Sequence, residues 1–202
     1  MKRIIKKIAS YLPIILSTPK VDKTYTSDIY TSYFSTATKT PLVVKYSISK
    51  GGGTASRADL RFVGDEFTAS EKDYSKNGYD IGHMANAEDF AFDESKEKET
   101  FSFYNALPQT EKLNRGIWKS FETEIRKLSQ SDPIDIWCGG WGFNKRIGSV
   151  GVPGYCFKIY QINSTMETKY LLFPNDNSDT YKEVSQIEFF KTVPVEYLPY
   201  LR

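Results

Sequence analysis

The chain has 202 residues, of which 26% are charged and 15% aromatic, with 27 basic residues, 25 acidic residues, two cysteines and one histidine. This composition suits one folded domain with a sizeable core and excludes wholesale disorder, and no apolar run is long enough to span a bilayer as a helix. Two cysteines exclude a disulfide framework and a four-thiolate metal site, and one histidine excludes a zinc site with several imidazoles. A net charge of +2 neither requires nor excludes a nucleic-acid partner.

The amino terminus is basic, with no acidic residue before Asp22. A retained basic arm is the favoured interpretation because Pro13 interrupts the apolar stretch and no small-residue cleavage site follows. The alternatives are a mitochondrial presequence and a secretory signal, and mitochondria are the favoured location. Residues 22–41 are rich in Ser, Thr and Tyr and are predicted to be an extended lead-in. We therefore expect an arm and lead-in over residues 1–40 and one domain over residues 41–202.

The central part of the chain alternates between strand and helix patterns. A strand is predicted at 42–49, ended by three glycines, and a short strand or turn at 79–84 carries the histidine. Residues 87–101 are acidic and are expected to be partly helical. Apolar residues at spacings of four and three predict one amphipathic helix over Leu113–Gln130.

Short apolar runs separated by Gly, Pro and Asn predict strands of a mostly antiparallel sheet at 134–138, 156–162 and 170–173. A last short helix is predicted at 184–190. Cys138 and Cys156 are expected to be buried strand residues, with a disulfide as the alternative. Strands, then a helix, then further strands predict an α+β domain.

His83 is the candidate general base, because an imidazole can accept a proton from water near neutral pH. Asp80 precedes it by three residues, and Gly82 would let the backbone approach a substrate closely. The alternative is a structural histidine held by hydrogen bonds.

Asn114 and Glu122 are a candidate pair for a metal site. They are eight residues apart, so on one continuous helix both would lie along the same flank. An amide oxygen and a carboxylate that acts through water suit Mg²⁺, which keeps most of its own waters. The alternatives are a helix N-cap for Asn114, an exposed surface position for Glu122 and turn chemistry for Asn105.

The order and spacing of several motifs give a more specific indication than any motif alone. Over about residues 40–190 the chain resembles the DNA/RNA non-specific endonucleases. The motifs that carry this resemblance are Asp80-Ile81-Gly82-His83, Tyr104 to Gln109, Leu113 to Trp118 with Glu122, Cys138-Gly139-Gly140, Gly151-Val152-Pro153 with Phe157-Lys158, and Leu171 to Asn175.

The resemblance implies an α+β fold in which a ββα-metal nuclease core packs on a mostly antiparallel sheet. It implies an endonuclease that uses Mg²⁺, with Mn²⁺ as the alternative, and that contacts DNA and RNA through their phosphates. His83 matches the general base and Asn114 the direct metal ligand of the family. Glu122 and Asp80 match carboxylates that hold the metal's waters, and Asn105 matches an amide beside the histidine.

One position departs from the family pattern. Ile81 stands where the family usually has an arginine that is thought to hold phosphates, so we expect reduced affinity and rate. Arg57, Arg61 and Arg115 are the candidates to supply that charge and bind substrate. The rival hypothesis is a weak or inactive nuclease fold that serves as a structural subunit of a larger complex, and a binding module without cleavage is a third. The resemblance also suggests a homodimer, in which the partner is a second copy of the chain.

Overall fold

The computed structural model describes residues 18–201. Most of the predicted basic arm therefore lies outside the described residues, and the domain boundary at residue 40 stays a prediction. Within the described range, no helix is long and apolar enough to cross a membrane.

The strands of the described chain form two antiparallel sheets. They are β1 (Lys23–Thr26), β2 (Tyr30–Ser35), β3 (Thr40–Ile48), β4 (Tyr79–His83), β5 (Ala106–Thr110), β6 (Ile134–Ile147), β7 (Val150–Ile162), β8 (Thr168–Pro174) and β9 (Lys182–Val184). The main sheet has the order β1-β2-β3-β6-β7-β8-β9, and within residues 18–201 β4 pairs only with β5. The segment expected as an extended lead-in thus contributes the edge strand β1 and its neighbour β2 to the main sheet.

The helices are short, apart from one. They are α1 (Glu71–Tyr74), α2 (Glu94–Glu99), α3 (Glu111–Arg115), α4 (Ile117–Leu128) and α5 (Gln186–Thr192), with 3₁₀ turns at 87–90, 103–105 and 195–200. The partly helical segment predicted at 87–101 is confirmed. The last predicted helix exists but begins at Gln186, after β9.

Helices cover both faces of the main sheet. Phe173 of β8 contacts Trp118 of α4, with ring centroids 5.2 Å apart, and its cross-strand partner is Cys156 of β7. Phe157 follows Cys156 and therefore points to the opposite face, where its ring lies 5.5 Å from that of Phe189 in α5. The strand alternation of β7 thus packs α4 on one face and α5 on the other.

The continuous helix predicted over 113–130 is wrong, because Gly116 separates α3 from α4. Gly116 has φ −100° and ψ −116°, and a Cβ there would lie only 2.3 Å from the carbonyl oxygen of Lys112. Asp179 accepts a hydrogen bond from the amide of Ile117 at 2.7 Å and so caps α4. The apolar spacing survives the break because both helices bury the same side.

The ββα unit of β4, β5 and the α3–α4 pair lies on the α4 side of the sheet. The Cys138 thiol on this face is 3.2 Å from the carbonyl oxygen of Met84, just after β4. Cys138 and Cys156 are both fully buried strand residues with free thiols, as predicted, and the disulfide alternative is wrong. A cleft lies between β4, the turn after it and α4.

Candidate functional site at the β4–α4 cleft

The cleft has a volume of about 450 Å³ and is lined mainly by polar side chains. Its lining residues are Arg57, His83, Asn86, Ala87, Glu88, Asn114, Arg115, Lys119, Glu122, Thr123 and Arg126. The structure therefore brings together the predicted base, the predicted metal ligand and the predicted carboxylate at 122. Asp80 reaches the same place through its contact with Asn114.

His83 ends β4 and lies between two phenylalanine rings, with centroids 4.7 Å from Phe62 and 4.8 Å from Phe101. Burial, and then the positive charge of Arg57, lower the pKa of His83 to about 3. The imidazole is therefore neutral at neutral pH. Its Nε2 is sealed from solvent with no hydrogen-bond partner among residues 18–201, so Nδ1 is the ring nitrogen left for a ligand.

Gly82 has a packing role that differs from the predicted one. A Cβ at this position would lie 2.0 Å from Oε1 of Gln109, on the neighbouring strand β5. The glycine is required for the close approach of Gln109 to β4, and this requirement explains its place beside His83 without a substrate.

Asn105 is fully buried and does not line the cleft. Its Oδ1 accepts a hydrogen bond from the amide of Ala85 at 2.7 Å, and its Nδ2 donates to the carbonyls of Ala85 and Thr100 at 2.8 and 2.9 Å. These bonds hold the chain two residues after His83. This placement suits an amide that positions the histidine, and it keeps Asn105 itself away from a ligand in the cleft.

Asp80, Asn114 and Arg115 form a cluster on the exposed side of the cleft, which we call the exposed cluster. Nδ2 of Asn114 donates to Asp80 at 2.9 Å, and Arg115 donates to both oxygens of the same carboxylate at 2.9 and 2.8 Å. Burial opposes ionisation of Asp80, but the hydrogen bonds from Arg115 and Asn114 outweigh it and hold its pKa below the usual value.

The contact with Asp80 determines which way the Asn114 amide faces. A carboxylate only accepts hydrogen bonds, so Nδ2 must face Asp80 and Oδ1 must turn away. Within the described part of the chain Oδ1 has no hydrogen-bond donor and is free to bind a cation. The alternative of Asn114 as an N-cap is wrong, because Thr110 caps α3 through a 3.3 Å bond from the amide of Leu113.

Glu122 is buried, so the alternative of an exposed surface glutamate is wrong. Its Oε1 lies 4.0 Å from Nζ of Lys158, a wholly buried lysine. Burial raises the pKa of Glu122 to about 7, while the charge of Lys158 opposes the shift and that of Asp89 adds to it. Nζ of Lys158 also lies 4.1 Å from the ring centroid of Trp118.

A second buried ion pair lies beside the first. Nε of Arg126 donates to Asp89 at 2.9 Å, and the Tyr46 hydroxyl donates to the other carboxylate oxygen at 3.3 Å. Burial raises the pKa of Asp89 to about 6, with Arg126 and then Lys158 opposing the shift. We call Asp89, Glu122, Arg126 and Lys158 the buried quartet.

The sequence interpretation missed three members of the quartet. Arg126 follows Glu122 by four residues, which is a helical ion-pair spacing, but here it binds Asp89 instead. Lys158 stands alone as a charge inside an apolar strand, and its alternation with Phe157 places it on the face under α4. That lone charge was the feature of the sequence that indicated a buried ion pair.

The three arginines predicted to bind substrate have different surroundings. Arg57 lines the cleft and contacts Glu88 at 3.1 Å and Glu97 at 3.7 Å. Arg115 also lines it and belongs to the exposed cluster. Arg61 does not line the cleft, and it donates to the carbonyl of Leu60 at 2.9 Å. Two of the three therefore reach the cleft, both in contact with carboxylates.

The donor atoms in the cleft fit a hydrated divalent cation. Residues 18–201 contain no cluster of three or more His, Cys, Asp or Glu side chains that could hold a metal. Oδ1 of Asn114 is one free oxygen ligand, and the Glu122 carboxylate lines the same cleft. Hard oxygen donors with room for water suit Mg²⁺ or Mn²⁺.

Sequence comparison identifies the class to which this fold and site belong. Residues 15–196 match the family model described as DNA/RNA non-specific endonuclease. The chain belongs to this family. The predicted α+β class and the ββα unit on a mostly antiparallel sheet are confirmed.

Individual relatives are nucleases described as mitochondrial. Mitochondrial endonuclease G of Homo sapiens is 28% identical over 168 residues, which cover 73% of this chain and 55% of that protein. The mitochondrial nuclease EXOG of Danio rerio is 37% identical over 90 residues, or 42% of this chain and 26% of that protein. The chain thus spans about a quarter to about half of the length of these relatives.

A solved structure shares the fold. It is the crystal structure of the EndoG/EndoGI complex, with a TM-score of 0.73 and 20% identity, covering 87% of this chain and 85% of that chain. At this identity the likeness establishes a common fold.

Proposed function

We propose that the chain is a divalent-metal-dependent endonuclease that hydrolyses phosphodiester bonds in DNA and RNA, with His83 as the general base. The observation that carries the proposal is that a neutral imidazole and an uncommitted amide oxygen, on His83 and Asn114, line the same cleft. Membership of the non-specific endonuclease family supports it. A mitochondrial location is proposed with it, because the relatives are named mitochondrial nucleases.

His83 accepts the proton of the attacking water at Nδ1, the nitrogen that burial leaves available. With a pKa of about 3, the imidazole is unprotonated at neutral pH and ready to accept. So low a pKa also makes a weak base in the empty cleft. A bound phosphate brings negative charge to the imidazole and raises its pKa, so the base strengthens when substrate is present.

Asn114 and Glu122 would hold the cation, the first directly through Oδ1 and the second through water. The cation, when bound, supplies positive charge to the departing 3′ oxygen. Asp80 keeps the amide of Asn114 in the orientation that presents Oδ1, and Asn105 holds the chain after His83.

Arg57 and Arg115 provide donors for phosphate oxygens at the edge of the cleft. Contacts of this kind address the phosphate and carry no information on base or sugar. We therefore expect cleavage of both DNA and RNA with little sequence preference. The homodimer stays a prediction.

The test of this function compares His83→Ala with the unmodified chain on plasmid DNA and on single-stranded RNA. We expect cleavage of both by the unmodified chain with Mg²⁺, none with EDTA, and a rate lower by about 10²–10⁴ in His83→Ala. Binding of the same substrates in EDTA controls for folding. Equal rates for the two proteins would remove His83 from the role of base.

A structural subunit with little or no catalysis is the second candidate, and Ile81 favours it. The Ile81 side chain packs against the core cluster that includes Phe103 and Val150, so β4 brings no cation to this position. No cleavage by the unmodified chain with either Mg²⁺ or Mn²⁺ would favour this candidate over the enzyme.

A further inference from the structure

The cations of the cleft differ in whether their charge is already neutralised. Four basic side chains of the described residues line it, and three of them contact carboxylates. The contact distances are 3.1 Å for Arg57, 2.8 Å for Arg115 and 2.9 Å for Arg126. The fourth is Lys119, which is exposed and whose side chain has no hydrogen bond, ion pair or ring contact with any residue in the range 18–201.

An unpaired cation is the stronger attractor for an incoming anion. Arg115 and Arg126 must share their donors with Asp80 and Asp89, or give up those contacts, before they can bind a phosphate. Lys119 has no such contact to lose. Among the described residues that line the cleft, its ammonium group therefore offers the uncompensated positive charge.

Lys119 also lies close to Glu122 along α4. It precedes Glu122 by three residues and Thr123 by four, so the three side chains share one face of the helix. Three residues correspond to about 4.5 Å along the helix axis. The backbone of Lys119 thus lies about one turn before that of Glu122, whose carboxylate is expected to hold the cation's waters.

We propose that Lys119 binds a backbone phosphate of the nucleic acid next to the phosphate that is cleaved. The proposal rests on the proposed nuclease function and adds a substrate-binding residue to it. A lysine ammonium is a compact point charge that binds phosphate without reading base or sugar. The contact would therefore be the same for DNA and RNA.

The experiment measures how the binding constant of the whole chain depends on salt, in EDTA so that substrate stays intact. A duplex and a single strand of equal length serve as probes. Each phosphate contact contributes about 0.9 to the slope of log K against log [salt] for a duplex and about 0.7 for a single strand. We expect Lys119→Ala to lose about one such contact on both probes and Lys119→Arg to keep it.

Lys127→Ala is the matched control, because Lys127 is an exposed lysine of the same helix that does not line the cleft. An unchanged slope in Lys119→Ala, or an equal loss in Lys127→Ala, overturns the proposal. If the unmodified chain binds neither probe, the proposal and the nuclease function both fail. If it binds but does not cleave with metal, only the activity fails, and the slopes still decide the role of Lys119.

Discussion

The exposed cluster and the buried quartet flank the same cleft and differ mainly in their access to water. The Arg115 side chain is 62% exposed, whereas that of Lys158 is 0% exposed. Exposed ion pairs are weak and screened by salt, so their partners can be exchanged for a phosphate. Buried charges without partners are costly, so the quartet must remain complete. One side of the cleft is thus suited to binding and the other to holding its shape.

The two regions also respond to pH in opposite directions. The pKa of Asp80 is lowered on folding, so its contribution to stability is present above its unfolded pKa and is lost as the pH falls through the folded one. The pKa of Glu122 rises from 4.5 to about 7. Folded Glu122 therefore binds protons more tightly than unfolded Glu122, and the free energy of unfolding falls as the pH rises from 4.5 towards 7.

Lys158→Met should have the largest effect on stability, because it leaves the buried carboxylates of Asp89 and Glu122 with Arg126 as their one remaining cation in the quartet. Breaking a buried ion pair by removing one partner typically costs about 3–5 kcal/mol. The measurement is urea unfolding of both proteins at pH 7.5.

Two variants sharpen this test of the quartet. Lys158→Met/Glu122→Gln removes one charge of each sign and should recover much of the lost stability. Lys182→Met removes an exposed lysine that pairs with Glu188 and should change stability little. A Lys158→Met protein as stable as the unmodified chain would mean that the quartet does not need its charge balance.

Glu122→Gln should reduce activity by about 10–100-fold, the usual cost of losing a group that orients a metal's surroundings. In the unmodified chain we expect activity to fall as the pH drops, because protonation removes the charge of Glu122. The pKa of Glu122 is about 7 before a cation binds, and a bound cation lowers it. His83 does not account for this loss in kcat/KM, which reports the free enzyme, since the pKa of His83 without substrate is about 3. The measurement is kcat/KM from pH 5 to 9 at saturating Mg²⁺.

The acid limb of that profile assigns the titrating group. It should disappear in Glu122→Gln, whose side chain does not titrate, while the residual rate stays level. A limb that keeps its midpoint in the variant would assign the titration to another group, such as Asp89, whose pKa is raised to about 6.

Much of the fold could be predicted because local patterns agree with the final packing. The strands predicted at 42–49 and 170–173 lie close to β3 and β8. Those predicted at 134–138 and 156–162 lie within β6 and β7, which are much longer than predicted. The break at Gly116 could not be predicted, because the cap that restarts the helix comes from Asp179, far along the chain. The joining of residues 23–35 to the sheet likewise depends on long-range pairing.

The family motifs predicted that His83 and Asn114 belong to one site, and both line the same cleft, while their roles stay predictions. The quartet could not be predicted, because its members come from the turn after β4, from α4 and from β7, and only the fold brings Lys158 under Glu122. The sequence also could not show that two of the predicted arginines are paired with acids, because Glu97 and Asp80 lie elsewhere in the chain.

Asp80→Asn should have the smallest effect of the three changes and tests the exposed cluster alone. The asparagine can donate as well as accept, so the amide of Asn114 is no longer forced to turn Oδ1 away from residue 80. We expect the Mg²⁺ concentration for half-maximal activity to rise, with little change in stability because the cluster is accessible to water.

The matched control is Glu111→Gln, which removes the other carboxylate partner of Arg115 and leaves the Asp80–Asn114 contact in place. A rise in both variants would assign the effect to Arg115, whereas a rise in Asp80→Asn alone would assign it to the orientation of the Asn114 amide. If the metal requirement is unchanged in Asp80→Asn, the exposed cluster has no part in presenting Oδ1.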